Sequence, residues 1–386
     1  MPHVLITGGA GFVGGHLAER LLREGCRVRL LDNFSPQVHG DQGPAALPAS
    51  LRRDCELRRG DVTSPTVLDR ALAGIDAVVH CAATVGVGQS MYRIADYCRN
   101  NVLGTAELLQ AILRRRQRPR GGMVERIVVA SSMSIYGEGR YLCPACAPDC
   151  GPLEVPPRPR SQLERRQWEP LCPCCGGILA AQPTDETKAP DPQSIYAVTK
   201  LTQEQMVLNF ARAYGLPAMA LRFFNIYGPR QALANPYTGV VAILAARLRA
   251  GLPVTLFEDG EQRRDFVSVH DVAAACVAAL GGDGGSGVYN IASGEAITIR
   301  RLAEMVAETL GAPLELAPLG RYRIGDIRHC TAEIGRARRE LHFRPQIGLR
   351  AGLRELAAWL DSQKPLPRTA GLAIANQELR AFGLGG

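Results

Sequence analysis

The chain has 386 residues, 46% of them hydrophobic and 21% charged, with a formal net charge of +8. That balance gives a globular protein with a large core and excludes a disordered chain, a collagen-like repeat and a small disulfide scaffold. The most conspicuous apolar run, 272–280, is too short to cross a bilayer. No leader-like segment precedes the first strand, so a cytoplasmic protein with reduced thiols is expected, its twelve cysteines being core residues or metal ligands. The basic balance suits an anionic partner, either a phosphorylated small molecule or nucleic acid, and the run RRRQRPR at 114–120 is read as a solvated loop.

In chain order, HVLITGGAGFVGGHLAERLL reads as a buried strand over 3–7, a glycine turn and a helix. Gly8, Gly11 and Gly14 fall at three-residue intervals, and Phe12, Val13, Leu17, Leu21 and Leu22 fit one helix face. Glycines so placed allow the tight turn, let a phosphate approach the backbone and let the helix pack close to the sheet. A pyrophosphate then sits at the positive helix N-terminus. A second strand, RVRLLDNF, ends at Asp32, 18 residues after Gly14, where a carboxylate accepts from a ribose diol and repels a 2′-phosphate. NAD is therefore expected rather than NADP.

The segment RRGDVTS places Asp61 after a third strand, within reach of an adenine, and DAVVHCAA over 76–83 is a fourth strand whose small residues leave room for a cofactor. NNVLGTAELLQAI over 100–112 is an amphipathic helix, and RIVVASSMSIYG over 126–137 is a fifth strand with a serine-rich end. VTLFEDG over 254–260 is read as a later strand. This alternation predicts an α/β protein with a doubly wound parallel sheet.

Ligands of such sheets lie beyond the carboxyl ends of the strands, where Ser131, Ser132 and Ser134 fall. In SIYAVTKLTQEQMV, Tyr196 and Lys200 are four apart and share one helix face. A phenol titrates near ~10, and a lysine ammonium together with a nicotinamide cation would draw it toward ionisation. Ser132 could then hold a substrate hydroxyl.

The motifs TGGAGFVG, HCAA, NNVLGT, SSMSIYG, YAVTK, RFFNIYGPRQ and DGEQRRDFVSVHDVA together resemble the extended short-chain dehydrogenase/reductases of the nucleotide-sugar epimerase/dehydratase family. The resemblance runs from Val4 to about residue 360 apart from a cysteine-rich segment. It implies a catalytic triad of Ser132, Tyr196 and Lys200. It also implies NAD contacts from Gly8, Gly11, Phe12, Val13, Gly14, Asp32, Asn33, Asp61, Val62, Ala82, Ala83, Asn101 and Phe223, besides Tyr196 and Lys200. Asn101 matches a residue that supports the active-site backbone. Ser134 and Asn225 match positions near the sugar, while Arg264 and Arg323 match arginines that grip a diphosphate, for which guanidinium is suited. Relatives are dimers built on helices near Asn101 and Tyr196, so a homodimer is implied.

The positions after the catalytic hydroxyl select among the family's reactions. Resembling dehydratases place an Asp-Glu pair there, decarboxylases a Glu, and 3,5-epimerases and reductases a Cys; this chain has Met133 and Ser134. No extra acid or base is present, which leaves C4 epimerisation through a transient 4-keto sugar.

Between Ser132 and Tyr196 lie 63 residues, well above what the resemblance requires, and the surplus matches the segment 141–183. It carries Cys143-Pro-Ala-Cys146 and Cys172-Pro-Cys-Cys175, two CxxC pairs separated by 25 residues, with Cys150 and Cys174 as spares. This pattern suits a zinc-ribbon-like site of Cys143, Cys146, Cys172 and Cys175 holding a structural zinc. Few apolar residues lie between, so metal binding would supply the folding energy of the insert. Its place between Ser132 and Tyr196 makes it a lid or wall of the sugar site, or an oligomer contact. The other cysteines, Cys26, Cys55, Cys81, Cys98, Cys276 and Cys330, read as core. YGEGRY, WEPLCPCCGG and QALANPYTGV resemble a dTDP-L-rhamnose 4-epimerase-like subgroup, which implies dTDP-L-rhamnose and dTDP-6-deoxy-L-talose as the substrate pair.

The expected organisation is an NAD-binding domain over 1–230 interrupted by the insert, a substrate lobe over 231–363 and a tail over 364–386. The alternatives are a UDP-hexose 4-epimerase, a nucleotide-sugar 4-ketoreductase, or a non-catalytic nucleic-acid-binding protein on the same fold. The intact triad argues against the last, so the expected partner is a nucleotide-diphosphate sugar, with neither nucleic acid nor membrane.

Overall fold

The computed structural model describes residues 2–117, 123–146, 151–232, 235, 237, 239–282, 285–317 and 319–363. Cys150, the end of the basic run and the tail 364–386 lie outside the described residues. The strands in chain order are β1 (His3–Thr7), β2 (Arg27–Asp32), β3 (Glu56–Arg59), β4 (Ala77–His80), β5 (Arg126–Ser132), β6 (Arg140–Leu142), β7 (Ala180–Gln182), β8 (Ala218–Phe223), β9 (Asn225–Tyr227), β10 (Arg263–Ser268), β11 (Gly287–Ile291), β12 (Ala296–Thr298) and β13 (His329–Cys330).

Seven of them form one sheet in the order β11-β8-β5-β4-β1-β2-β3, with every pairing parallel. The strand order reverses between β1 and β4, the switch point at which such sheets bind ligands. The continuous apolar runs of these strands feed two cores. Val4, Ile6, Leu30, Val79 and Val128 face the helices Phe12–Arg23 and Val269–Gly281. Leu5, Leu31, Val78, Ile127 and Val129 face the helices Pro65–Ala71, Gly104–Arg116 and Ile195–Tyr214. The alternation along each strand, one residue to each face, is what winds the sheet on both sides.

The second lobe has its own core of Val241, Leu244, Leu248, Leu302, Val306, Leu353 and Leu356, contributed by the helices Val240–Arg249, Ile299–Leu310 and Leu349–Asp361. Its boundary differs from the expected break near residue 231. The helix Val269–Gly281 and β11 return to the first domain, where β11 extends the sheet beside β8. The apolar residues Tyr289 and Ile291 of β11 are buried there, and burial on a shared sheet outweighs proximity in sequence.

Residues 254–260 are not a strand. Val254 makes one isolated parallel bridge to Leu316, and the chain then turns at Glu258, whose φ of 54° is left-handed, and again at Gly260, φ 83°. The Glu258 amide and carbonyl pair with Arg321 and Gly320 instead of with a sheet neighbour. Among the cysteines read as core, Cys55, Cys276 and Cys330 are buried and Cys26 and Cys81 partly so, whereas Cys98 is exposed. Cys98 opens the wide helical turn Cys98–Leu103 that leads into Gly104–Arg116, and only Asn101 of that turn is buried. No helix among the described residues is long and apolar enough to cross a membrane.

One buried ion pair ties the sheet to the helix that carries Tyr196. The Arg222 guanidinium on β8 meets the Glu204 carboxylate at 2.6 Å, and Ser131 on β5 donates to the same carboxylate at 2.6 Å. Removing one partner leaves an uncompensated buried charge. Glu204→Ala should therefore destabilise the protein by about 3–5 kcal/mol, read as a drop in thermal midpoint by calorimetry.

Candidate active site

The glycine turn leaves no room for side chains. A Cβ on Gly8 would stand 2.8 Å from the Ala82 nitrogen, and one on Gly14 would stand 2.5 Å from the Gly8 carbonyl oxygen. Gly8 also has a φ of +65°. The helix begins at Phe12 with Gly11 as its N-cap, no capping side chain and no acid in its first turn. The first-turn amides, including those of Phe12 and Val13, thus have no side-chain cap, which suits the pyrophosphate of a dinucleotide.

Asp32, at the end of β2, is fixed by two backbone donors, the Ala10 amide at 3.0 Å and the Phe34 amide at 2.8 Å. Each carboxylate oxygen keeps acceptor capacity for a ribose diol. His39, which the sequence reading missed, lies with its Nε2 3.5 Å from Asp32 and its ring against Phe34. Asn33 donates to Asp61 at 2.9 Å, bringing those two expected adenosine contacts together, and Thr63 holds the other Asp61 oxygen. Val62 is buried beside them. Across the switch point the Ala82 amide reaches the Thr7 hydroxyl at 3.3 Å, and Ala83 follows it out of β4. Asn101 is fully buried. It accepts from the Thr84 amide at 2.7 Å and donates to the Thr84 carbonyl and the Thr199 hydroxyl. It therefore clamps the loop after β4 to the Tyr196 helix, with its amide oxygen and nitrogen both engaged inside the protein.

Ser132 ends β5 in register with Phe223 at the end of β8. Its hydroxyl accepts from the Ser134 amide and shares a 2.8 Å hydrogen bond with the Ser134 hydroxyl. The helix Ile195–Tyr214 starts on a Ser194 cap and brings Tyr196 and Lys200 to the same strand ends. Burial pushes the Tyr196 phenol up, while a hydrogen bond with Ser132 pulls it back toward ionisation. Desolvation is the larger of these two effects, because a site that excludes water favours the neutral phenol. Burial also pushes the Lys200 ammonium down, to about 8, against the opposing pull of Cys81 and Glu204.

A network beneath Lys200 was not foreseen. Lys200 donates to Gln203 at 2.7 Å, Gln203 donates to Thr105 at 2.8 Å, and His80 bridges Thr105 at 2.9 Å and Thr7 at 2.7 Å. Burial and the nearby Lys200 charge hold the His80 imidazole down at about 3, so it is neutral. The signal was available. His80 lies in HCAA and pairs in register with Thr7, and Gln203 lies three residues after Lys200 on its helix.

On the substrate side, the Asn225 amide oxygen on β9 is buried without a hydrogen-bond partner, an acceptor open to a hydroxyl donor. Arg264 donates to the carbonyls of Arg263, Ile327 and Arg328, which makes it a staple between β10 and the segment before β13. Arg323 lies over the Phe257 ring at 3.9 Å.

In the insert, the sulfur atoms of Cys143, Cys146, Cys172 and Cys175 all lie within 4.8 Å of one another. Cys143 and Cys175 approach to 3.5 Å, and Cys146 and Cys172 to 3.9 Å. Four thiolates around tetrahedral zinc stand about 3.8 Å apart, so the donor set fits. Backbone N–H groups of Cys175 and Cys174 hold the Cys172 thiol down at about 6, favouring the thiolate that zinc requires. Cys174 is exposed, while Cys143, Cys172, Val155, Leu179 and Tyr141 form the small buried cluster of the insert.

A sequence model of the NAD dependent epimerase/dehydratase family matches residues 4–161 and 174–292, leaving 162–173 of the insert unmatched. The chain is 36% identical over 364 residues to a dTDP-L-rhamnose 4-epimerase of Burkholderia thailandensis, covering 93% of this chain and 95% of that protein. Among solved structures it is similar to MoeE5 in complex with UDP-glucuronic acid and NAD, at 33% identity and a TM-score of 0.72 over 93% of this chain and 99% of that one. It is likewise similar to the UDP-glucose 4-epimerase of Thermus thermophilus in complex with NAD, at 29% identity and a TM-score of 0.72 over 94% and 100% of the two chains. A family match spanning both halves of the sheet, with identity above a third along nearly the whole chain, assigns this protein to the NAD dependent epimerase/dehydratase family of extended short-chain dehydrogenase/reductases.

Proposed function

We propose that the chain is an NAD-dependent nucleotide-sugar 4-epimerase acting on a dTDP-6-deoxyhexose, with dTDP-L-rhamnose and dTDP-6-deoxy-L-talose as the pair. The observation that carries this reading is the poverty of the site in acids and bases. Met133 is buried among Ile135, Tyr136 and Phe224, and Ser134 is bonded back onto Ser132. Tyr196 is then the proton-transfer group beside Ser132, and inversion at C4 needs only one. The similarity to the Burkholderia enzyme supports the deoxyhexose, and the similarity to UDP-sugar enzymes keeps a UDP-hexose as the second reading.

The roles of the side chains follow from their geometry. Ser132, oriented by Ser134, holds the sugar O4 hydroxyl and relays its proton to Tyr196. Lys200, fixed by Gln203, supplies the positive charge that assists phenol ionisation. Bound NAD supplies the hydride acceptor and donor at C4. After the sugar turns over, Tyr196 returns the proton to O4, so no proton is gained or lost overall. The four cysteines hold a structural zinc in this reading, and the chain works as a homodimer. Leu103 and Val198, 45% and 44% exposed on the packed segments beside Asn101 and Tyr196, support that association.

The reading is tested by NMR of the purified protein with dTDP-L-rhamnose, run beside UDP-glucose and UDP-N-acetylglucosamine, with and without added NAD⁺. The C4 epimer should form without net reductant. Stoichiometric consumption of NADH or NADPH would instead identify a ketoreductase, and no turnover of any sugar would remove the assignment. Tyr196→Phe should lower kcat by about 10³-fold. The sign of the pH effect follows from Lys200, whose ammonium is present below about 8 and lost above it. The wild-type rate of epimer formation, followed by NMR, should therefore stop rising near pH 8. In Lys200→Met the rate should be lower at neutral pH and keep rising toward the ordinary phenol range, about 10. Elemental analysis should find about one zinc per chain, lost together with thermal stability in Cys143→Ser/Cys146→Ser.

A further inference from the structure

The charged groups at the foot of the insert form a buried junction with the second lobe. Arg158 of the insert is 6% exposed. It donates to the Trp168 carbonyl at 2.7 Å and the Asp326 carbonyl at 2.9 Å, and it pairs with Glu258 at 2.9 Å. Glu169 of the insert takes the Arg328 guanidinium at 2.5 Å and His329 at 2.9 Å. Arg328 is 1% exposed and is shared with Glu258 at 2.9 Å and Asp259 at 2.6 Å. Glu138, just before the insert, accepts from Tyr141 and from the Arg328 and His329 amides.

These contacts converge on the loop 319–329, which carries Arg323. Its start lies under the Arg166 guanidinium, since a Cβ on Gly320 would stand 3.4 Å from the Arg166 carbon. In its middle, Tyr322 packs on Trp168 with ring centroids 6.4 Å apart. Toward its end, Asp326 is held by Arg158, and Arg328 and His329 by Glu169. The loop is also bound to the turn at Glu258, whose backbone pairs with Gly320 and Arg321 and whose neighbour Phe257 carries Arg323 on its ring. Two short spans connect this junction to the cysteine cluster: Tyr141 stands two residues before Cys143, and Glu169 three residues before Cys172.

We infer that the insert is a brace for nucleotide binding: Glu169 and Trp168 are positioning residues that fix the loop 319–329, and Arg323 with it, for the diphosphate of the substrate. The inference rests on the nucleotide-sugar reading above. Trp168 takes Tyr322 while the adjacent Arg323 lies over Phe257, and the insert's charges are spent on Arg328, His329 and Glu258. Its contribution is therefore to geometry, and it bears on substrate affinity rather than on proton or hydride transfer. A loop held at three points forgoes less freedom when a ligand binds, which appears as affinity.

The test is calorimetric titration of dTDP and of UDP into the NAD-containing dimer or monomer as purified, for wild type, Glu169→Gln and Trp168→Ala, with zinc content and thermal midpoint measured on each. Glu169→Gln keeps the side-chain size and removes the charge paired with Arg328. Trp168→Ala leaves the charged junction intact and removes the Tyr322 contact. Nucleotide-diphosphate affinity is expected to fall about ten-fold in both, with zinc retained. In turnover KM should rise in parallel while kcat stays within about two-fold. Unchanged affinity in folded, zinc-containing variants overturns the inference and leaves the epimerase reading intact. A fall in kcat at constant KM overturns it as well. Failure of the wild type to bind either nucleotide removes the nucleotide-sugar reading, and this inference with it.

Discussion

The position of a single guanidinium constrains much of this structure. Arg328 is almost wholly removed from water and is met by carboxylates from two places, Glu169 of the insert and Glu258 with Asp259 of the second lobe. A charge so buried is tolerated only when its donors are satisfied, so all three segments have to arrive together. Arg158 repeats the arrangement one step away, sharing Glu258 and reaching Glu138. Burial pushes Glu258 up, whereas His329 and Arg328 outweigh burial at Glu169 and hold it down at about 2. The paired charges thus convert three weakly cored pieces of chain into one junction.

The first domain rests on one such pair, Arg222 with Glu204, set inside a large apolar core. Its central strands are apolar on both faces, its helices cover both, and its candidate site residues sit where strands end. That is why so much of it was legible. Gly8, Gly14 and Asp32 announce themselves by spacing, and the backbone contacts at Ala82 give the spacing its physical reason. Tyr196 and Lys200 are one helical turn apart, and the register of β5 with β8 delivers Ser132 to them. The cysteine cluster is equally local, two short pairs whose sulfur separations suit one tetrahedral ion.

What escaped the sequence is long-range or conformational. His80 lies in a legible motif and in register with Thr7, but that Thr105 and Gln203 from two other segments close on its far nitrogen is settled only by the packing of their helices. Arg158 and Glu169 carry no local signal, because the partners that bury them stand some 160 residues away in the chain. The apolar segment 254–260 carries strand composition, yet a left-handed Glu258 bends it, because its backbone groups are claimed by Gly320 and Arg321. The domain boundary was misplaced for the same reason: β11 has the pattern of any buried strand, and only pairing says which sheet it joins.

The entry and exit of the insert are themselves paired. Leu142 stands opposite Ala180 and Arg140 opposite Gln182, so the chain leaves and returns one strand spacing apart. An excursion with closed ends of this kind can be gained without moving the strand before it or the helix after it. It cannot be shed as cheaply, since cutting it away would strip Arg328 and His329 of Glu169 and leave Glu258 without Arg158. An accessory that begins as a removable loop is in this way entrenched: once its charges are shared with the host, the host's own fold comes to depend on the guest.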